Sequence, residues 1–150
     1  MAQITKTGTG GAIMISDSDD YTAYETIAEL RSWSLDESSD VVECTNMSSN
    51  QIRKYLATHK SWTGTMDVYQ AFDDSTGNHQ YTSDGGQVVP VIAVGSTYKF
   101  KFYVDNSTTT FAHYDGEGIV TGISRSVAHD GIAEMTISVQ GTTAALAEGA

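Results

Sequence analysis

Cysteine and proline each occur once in this chain of 150 residues, and both scarcities exclude classes of protein. A single thiol, Cys44, cannot form an internal disulfide, so the fold does not depend on oxidation. Pro90 interrupts the longest apolar run, 88–94, which is far shorter than the roughly 20 residues of a membrane-spanning helix. The first residues lack the basic and apolar stretches of a secretory signal, so we expect a protein that stays in the cytoplasm where it is made.

Basic residues are also scarce. Eight Lys and Arg side chains face 19 Asp and Glu side chains, for a formal net charge of −11, and the largest basic cluster is the pair Arg53-Lys54. Such a surface repels the phosphates of nucleic acids and of anionic lipids. Binding to nucleic acid through charge is therefore excluded.

Catalytic and metal-binding patterns are missing as well. The chain has no Gly-x-Ser-x-Gly elbow, no phosphate-binding glycine loop and no dinucleotide fingerprint. Cys44 follows the acidic Glu43, so we expect a small buried strand residue and not a nucleophile. The pair Asp115 and Glu117 is expected in a turn. The first residues of a calcium loop are matched by Asp17, Asp19 and Asp20, but Tyr21 and Thr22 follow where a ligand and a glycine are required. The sequence predicts no enzyme, cofactor or metal site.

Apolar residues recur mainly with a period of two, which is typical of β-strands. The clearest case is 97–105, where one face holds Tyr98, Phe100, Phe102 and Val104. Segment 117–127 also alternates, with Ile119, Ile123 and Val127 on one side, and so does 132–140. The link between these two segments contains Asp130-Gly131, which is expected to supply positive φ at a hairpin turn. We therefore predict that these two strands are antiparallel neighbours.

The first half of the chain predicts further strands. In 26–35 the apolar residues change face between Leu30 and Trp33, which indicates a bulge. A short strand is predicted at 41–45, and a longer one at 60–69 with one apolar face formed by Trp62, Gly64, Met66 and Val68. Between them, 46–59 is predicted to be a loop or a short helix that begins near Ser48.

The predicted fold class is therefore mainly β: an antiparallel β-sandwich or barrel with one short helix and extended loop and terminal arms. A chain of 150 residues is expected to form one domain. We expect an ordered core from about 11 to 143, with flexible arms at 1–10 and 144–150.

Three elements follow one another in a familiar order. The first is the strand pair 26–35 and 41–49, and the second is 53–65, which leads into the Trp62-Thr-Gly64 strand. The third is the terminal hairpin of 118–126 and 130–142. In order and spacing these elements resemble the major tail tube proteins of long-tailed, non-contractile bacteriophages, over about 11–143. The chain departs from many relatives at 141–143, where Gly-Thr-Thr replaces Gly-x-Gly.

The resemblance implies a virion structural protein. Six copies would form a ring whose sheets join into an inner barrel, and rings would stack into a tube through which DNA passes. Implied partners are further copies of the chain together with tail initiator, tape-measure and terminator proteins. No cofactor and no membrane is implied. The implied location is the virion tail, assembled in the bacterial cytoplasm.

Two sets of site residues follow from the resemblance. Polar loops of the family contact the next ring, and the corresponding inter-ring candidates here are Asn46, Met47, Arg53, Tyr55, Leu56 and His59. Acidic side chains on polar strand faces are expected to line the lumen, where repulsion keeps a passing duplex from sticking; the candidates are Glu29, Asp36, Glu43 and Asp67. Alternatively, the negative charge only keeps an abundant protein soluble.

Two alternatives remain open from the sequence. A tube subunit of a contractile tail or secretion system would share the fold and the ring. A carbohydrate- or receptor-binding β-sandwich would instead expose several aromatic side chains together on one face. The aromatic residues at 98, 100 and 102 are expected in the core, which favours the tube.

Overall fold

The structure is a computed structural model that describes residues 10–17, 24–27, 29–72, 79–81, 92–105, 113–142 and 146–149. Its elements are strands and one three-residue 3-10 helix, Met47–Ser49. The strands are β1 Ala12–Asp17, β2 Glu25–Thr26, β3 Leu30–Glu43, β4 Tyr55–Tyr69, β5 Ala71–Phe72, β6 His79–Gln80, β7 Thr97–Tyr103, β8 His113–Ser126, β9 Glu134–Gly141 and β10 Ala147–Gly149. The mainly β prediction is confirmed, and the only helical residues of the predicted loop 46–59 are the 3-10 turn Met47–Ser49.

Eight of these strands form one antiparallel sheet. Seven follow the order β2-β1-β7-β8-β9-β4-β3, and β10 pairs with the first residues of β8, next to the end of β9. The strands β5 and β6 form a separate hairpin. β8 and β9 are joined by a hairpin and pair directly, which confirms the predicted antiparallel neighbours.

The sheet folds over its own apolar face. Trp33 on β3 and Phe102 on β7 are four strand spacings apart in the sheet order, about 19 Å in a flat sheet. Their ring centroids are nevertheless only 5.5 Å apart, and Phe102 also packs edge-on against Trp62 at 6.3 Å. The two halves of the sheet therefore enclose a single core.

The core is formed by the inward faces of β1, β4, β7, β8 and β9. The predicted apolar face of β4 is confirmed, with Trp62, Met66 and Val68 buried. On β7 the prediction is confirmed for Tyr98, Phe100 and Phe102, whereas Val104 lies beyond the strand and is exposed. Glycine is required beside Trp62, because a Cβ at Gly141 would overlap the indole nitrogen. Trp62 can therefore pack against the end of β9 only because residue 141 carries no side chain.

The predicted bulge near the start of β3 is confirmed, and it has a visible cause. Glu29 has a positive φ of 54°, and the pairing with β4 shifts between Leu30 and Ser32. The extra residue moves Trp33 and the following alternate residues onto the core side.

Three strand boundaries differ from the predictions. Most of the two strands predicted at 26–35 and 41–45 belongs to one strand, β3, because 36–39 continue to pair with β4. Thr26 lies in β2 instead, and 44–45 lie in the loop after β3. β4 begins at Tyr55, so the end of the predicted loop 46–59 is strand. β8 begins at His113, which places Asp115 and Glu117 within a strand and not in a turn.

The inward face of β8 also differs from the prediction. A register shift between Val120 and Gly122 puts Val120 and Ile123 toward the core, where Val120 is fully buried. Val127, predicted to share a face with Ile123, lies beyond the strand and is exposed. A bulge inside a strand changes the parity of every later residue, which simple alternation does not detect.

Two smaller predictions are wrong. Neither Asp130 nor Gly131 has positive φ; the turn is closed by a bond from the Gly131 amide to the Ala128 carbonyl at 3.2 Å. Cys44 is exposed in the loop after β3 and is not a buried strand residue.

Near the end of the chain, 147–149 pair with β8 inside the segment predicted as a flexible arm.

Candidate assembly surfaces

A two-stranded ribbon extends beyond the sandwich. β9 pairs with β4 only at 63–69, whereas β3 and β4 stay paired as far as Glu43 and Tyr55. Residues 38–43 and 55–61 therefore form a ribbon about 20 Å long, estimated at 3.3–3.4 Å per residue. Every one of these residues is exposed. We call residues 38–61 the arm and residues 41–56 its tip.

The tip loop is held by its own hydrogen bonds. The Cys44 amide donates to the Lys54 carbonyl at 2.8 Å, and the Lys54 amide donates to the Thr45 hydroxyl at 3.0 Å. Asn46 accepts from both the amide and the hydroxyl of Ser48, at 3.1 and 2.6 Å. Positive φ at Asn50 and Gln51 reverses the chain after the 3-10 turn.

The tip displays apolar side chains to solvent. Six of the eleven exposed large hydrophobic residues of the described chain lie there, with exposed fractions from 54% to 103%: Val41, Val42, Met47, Ile52, Tyr55 and Leu56. Soluble monomers rarely expose such a concentration of apolar surface without a partner. The tip is thus a candidate contact surface.

The structure brings most of the inter-ring candidates together. Asn46, Met47 and Arg53 lie in the tip loop, and Tyr55 and Leu56 begin β4 beside it. His59 lies further along β4, in the ribbon. Sequence analysis missed Val41 and Val42, because two adjacent valines give no periodic signal that separates an exposed strand from a buried one.

A second surface is the outward face of β3, β4 and β9. Facing residues form three rows across these strands: Ser32, Asp67 and Thr136; Ser34, Thr65 and Ser138; Asp36, Thr63 and Gln140. All are exposed or half-buried, and none is apolar. We call this surface the polar face.

Asp67 organises one end of the polar face. Its two carboxylate oxygens accept from the Ser32 hydroxyl at 3.0 Å and from the Thr136 hydroxyl at 2.8 Å. Close by, Arg31 pairs with Glu134 at 2.9 Å. The face is therefore built from short hydroxyl groups with fixed carboxylates among them.

Only two of the four acidic lumen candidates share this face. Asp36 and Asp67 lie on it, in different rows. Glu29 lies in the turn before β3, and Glu43 lies opposite Tyr55 at the far end of the ribbon. Sequence alternation could not separate these positions, since both bulges of β3 lie between them.

The sandwich also has open strand edges. Among the described residues, no strand pairs with the outer edge of β3, and β4 has no second partner along 55–62. Unpaired N–H and C=O groups along such an edge can be satisfied by a strand of another chain.

One titratable cluster was not predicted from the sequence. His113 is buried with its Nε2 3.2 Å from an Asp115 oxygen, and its ring packs on Tyr103 with 4.7 Å between centroids. Burial, and then the negative charge of Asp115, raise the pKa of Tyr103 above its ordinary value. The backbone of Gly149 covers His113, since a Cβ there would lie 2.5 Å from Nε2. The cluster thus lies where β10 joins β8.

The described segments contain no group of three or more metal-ligating side chains. The calcium-loop candidates Asp19 and Asp20 lie outside the described residues. No helix of the described chain is long and apolar enough to span a membrane.

Neither family models nor curated proteins give a match to this chain. Solved structures do. The tail of an empty gene transfer agent particle with C6 symmetry aligns over 97% of this chain and 100% of its own, with TM-score 0.65 and 20% identity. The SPP1 tail tube aligns over 97% of this chain and 79% of its own, with TM-score 0.65 and 12% identity.

Contractile systems are equally similar in fold. The sheath/tube terminator of an extracellular contractile injection system aligns over the full length of both chains, with TM-score 0.64 and 13% identity. The chain therefore has the fold of tail tube subunits and of their counterparts in contractile injection systems. At these identities the likeness extends to the fold and not to individual side chains.

Proposed function

We propose that this chain is a virion structural protein whose copies form six-membered rings that stack into a phage tail tube. The observation that carries the proposal is the shared fold, which covers nearly the whole chain and includes a tail assembled with C6 symmetry. The function is structural and does not involve catalysis. Tail initiator, tape-measure and terminator proteins are the proposed partners, and the virion tail, assembled in the host cytoplasm, is the proposed location.

The open edges supply the joining mechanism for the ring. The outer edge of β3 can pair with a strand of the next copy, and closure of the ring then leaves no such edge exposed. The polar face lies beside this edge, so pairing would join the polar faces of neighbouring copies into one surface.

We propose that this joined polar face lines the lumen. Its short hydroxyl side chains leave room for a duplex, and Asp36 and Asp67 add negative charge. Six copies would carry six times −11, or −66, and DNA has one charge about every 1.7 Å. Repulsion acting within a Debye length of roughly 8 Å would keep the duplex moving without contact.

The arm is the proposed contact to the next ring, with the tip as its apolar anchor. This assigns a role to the side chains of Met47, Tyr55 and Leu56, which are exposed to solvent in the single subunit. A carbohydrate-binding module is less well supported, because the aromatic residues 98, 100 and 102 are buried and not displayed on a surface.

Negative-stain electron microscopy of purified protein over a range of concentrations tests the proposal, with light scattering after size exclusion. Hollow tubes or six-fold rings are expected. A subunit that stays monomeric even with its tail initiator complex would contradict it. A tube with a sheath-binding exterior would identify the contractile alternative.

The lumen assignment has its own test. Replacing Asp36 and Asp67 by lysine is expected to slow DNA ejection from particles that contain the variant tube. Asp130→Lys serves as a matched control, because Asp130 is exposed in the turn between β8 and β9, outside both the polar face and the tip. Unchanged assembly and ejection with both replacements would show that the lumen assignment is wrong.

A further inference from the structure

The described chain contains a groove close to the foot of the arm that is lined mainly by apolar and aromatic side chains. It has a volume of about 440 Å³ and is lined by Trp33, Leu35, Glu37, Val104 and Tyr114. Such a volume lies within the usual 300–1,000 Å³ of binding pockets. Leu35 and Trp33 are only partly buried, and Val104 is 39% exposed.

The groove arises from the way β3 and β7 end. Beyond the bulge, alternate residues of β3 face inward, so Trp33 and Leu35 cover the rings of the core while Glu37 reaches its rim. β7 ends at Tyr103, and Val104 continues the apolar side of that strand. Among the described residues, no strand covers Val104, which is 39% exposed.

The same strand, β3, carries both the groove and one side of the tip. Leu35 and Val42 are seven residues apart on a paired strand, which separates them by about 20 Å. Pairing with β4 along the arm keeps the ribbon extended. The tip therefore cannot fold back into the groove of its own chain.

The two surfaces complement each other in chemistry. The tip exposes Tyr55 and Leu56 next to the basic pair Arg53-Lys54. The groove is lined by four apolar or aromatic side chains together with the acidic Glu37. Apolar contact in the groove would thus bring opposite charges together at the rim, which favours one orientation.

We propose that the arm tip of one copy docks into the Trp33–Val104 groove of another copy. The contact is heterologous, since each copy offers one tip and one groove, and it therefore repeats from copy to copy. The inference rests on the proposed function, for which it names the receiving surface of the arm.

Two variants test the docking because each disables one half of the contact. Leu56→Asp places a charge on the tip, and Val104→Asp places one in the groove. Both positions are exposed in the subunit, so folding is expected to be retained, and circular dichroism checks it. Val94→Asp is the matched control, since Val94 is exposed in the turn before β7 and outside the groove. Glu37→Lys replaces the groove variant if Val104→Asp does not fold.

Each variant alone is expected to need at least about a tenfold higher concentration to grow lengthwise, because docking would bury an unpaired carboxylate. The control should assemble like the unchanged protein. An equimolar mixture of the two variants is expected to join in pairs, since the groove of one and the tip of the other are intact. Growth should stop there, at one unit of each variant, whether the unit is a subunit or a ring.

The results separate this inference from the proposed function. Growth of either variant at the concentration that the unchanged protein needs would overturn the docking, and so would a mixture of folded variants that does not pair. Tubes of unchanged protein together with such a result would leave the tube proposal standing. Paired variants without any tube from the unchanged protein would support the docking and contradict the tube.

Discussion

Phe102 is the side chain whose removal should most clearly reveal how the two halves of the sheet are held together. It is fully buried on β7 and packs against Trp33 of β3, Trp62 of β4 and its neighbour Phe100, at 5.5, 6.3 and 5.8 Å between ring centroids. Phe102→Ala would remove contacts between strands that are remote in the sheet order. The variant therefore tests the folded-over arrangement directly.

The expected magnitude follows from burial. A buried phenylalanine removes about 150–250 Å² from water, worth roughly 4–6 kcal/mol at 25 cal/mol per Å². Measured Phe→Ala changes in cores cost about 3–5 kcal/mol. We expect Phe102→Ala to lower the free energy of unfolding by about 4 kcal/mol, which corresponds to roughly 8–16 °C in Tm for a domain of this size.

Urea unfolding followed by tryptophan fluorescence provides the measurement. The protein must be dilute enough to stay monomeric, because assembly adds stability through mass action. Phe72→Ala is the matched control: Phe72 is 50% exposed, and its change should cost less than about 1 kcal/mol. A loss below about 1.5 kcal/mol for Phe102→Ala, or equal losses for both variants, would refute the packing argument.

Three further predictions concern the tip loop, the polar face and Tyr103. Backbone amides of 46–54 should exchange quickly in the isolated subunit and become protected in assembled tubes; strong protection across the loop in the monomer would contradict its role as an inter-ring contact. Asp67→Ala should lower the free energy of unfolding by about 1–2 kcal/mol in urea titrations, because two hydroxyl donors lose their acceptor, whereas Asp36→Ala should change it by less than about 0.5 kcal/mol. Folding raises the pKa of Tyr103 above its ordinary value of 10.0. The contribution of Tyr103 to the free energy of unfolding is therefore complete below pH 10, and it is lost as the pH rises through the pKa of the folded state. The urea midpoint should accordingly fall less steeply above pH 10 in Tyr103→Phe, and equal slopes would contradict the assignment.

The strands with an undisturbed period were predictable from the sequence. Residues 97–102 and 62–68 alternate without interruption, and burial in the structure follows that alternation. Here the local pattern and the tertiary environment agree, because a strand that is covered on one face needs apolar side chains on every second residue. The antiparallel neighbours β8 and β9 were predicted from the Asp130-Gly131 turn, and they pair although neither residue has positive φ.

Prediction from the sequence failed where a bulge changes which face of the sheet the alternate residues occupy, and where a strand is exposed on both faces. The register shift after Val120 places Val120, and not the predicted Ile119, on the same side as Ile123. Polar residues 36–40 hid the continuity of β3. The ribbon has no buried face, so its residues 55–61 carry no burial signal at all. Its strands are instead specified by backbone pairing with each other.

The sequence by itself determined the composition of the surfaces: a net negative charge, abundant short hydroxyl side chains and a tube-like order of segments. The tertiary structure alone decided which residues share a surface. It placed Asp36 and Asp67 on one face and Glu29 and Glu43 elsewhere, and it brought Val104 beside Trp33 across four strand spacings. Such neighbours are set by long-range pairing, bulges and the folding of the sheet over its core, and no local pattern in the chain encodes them.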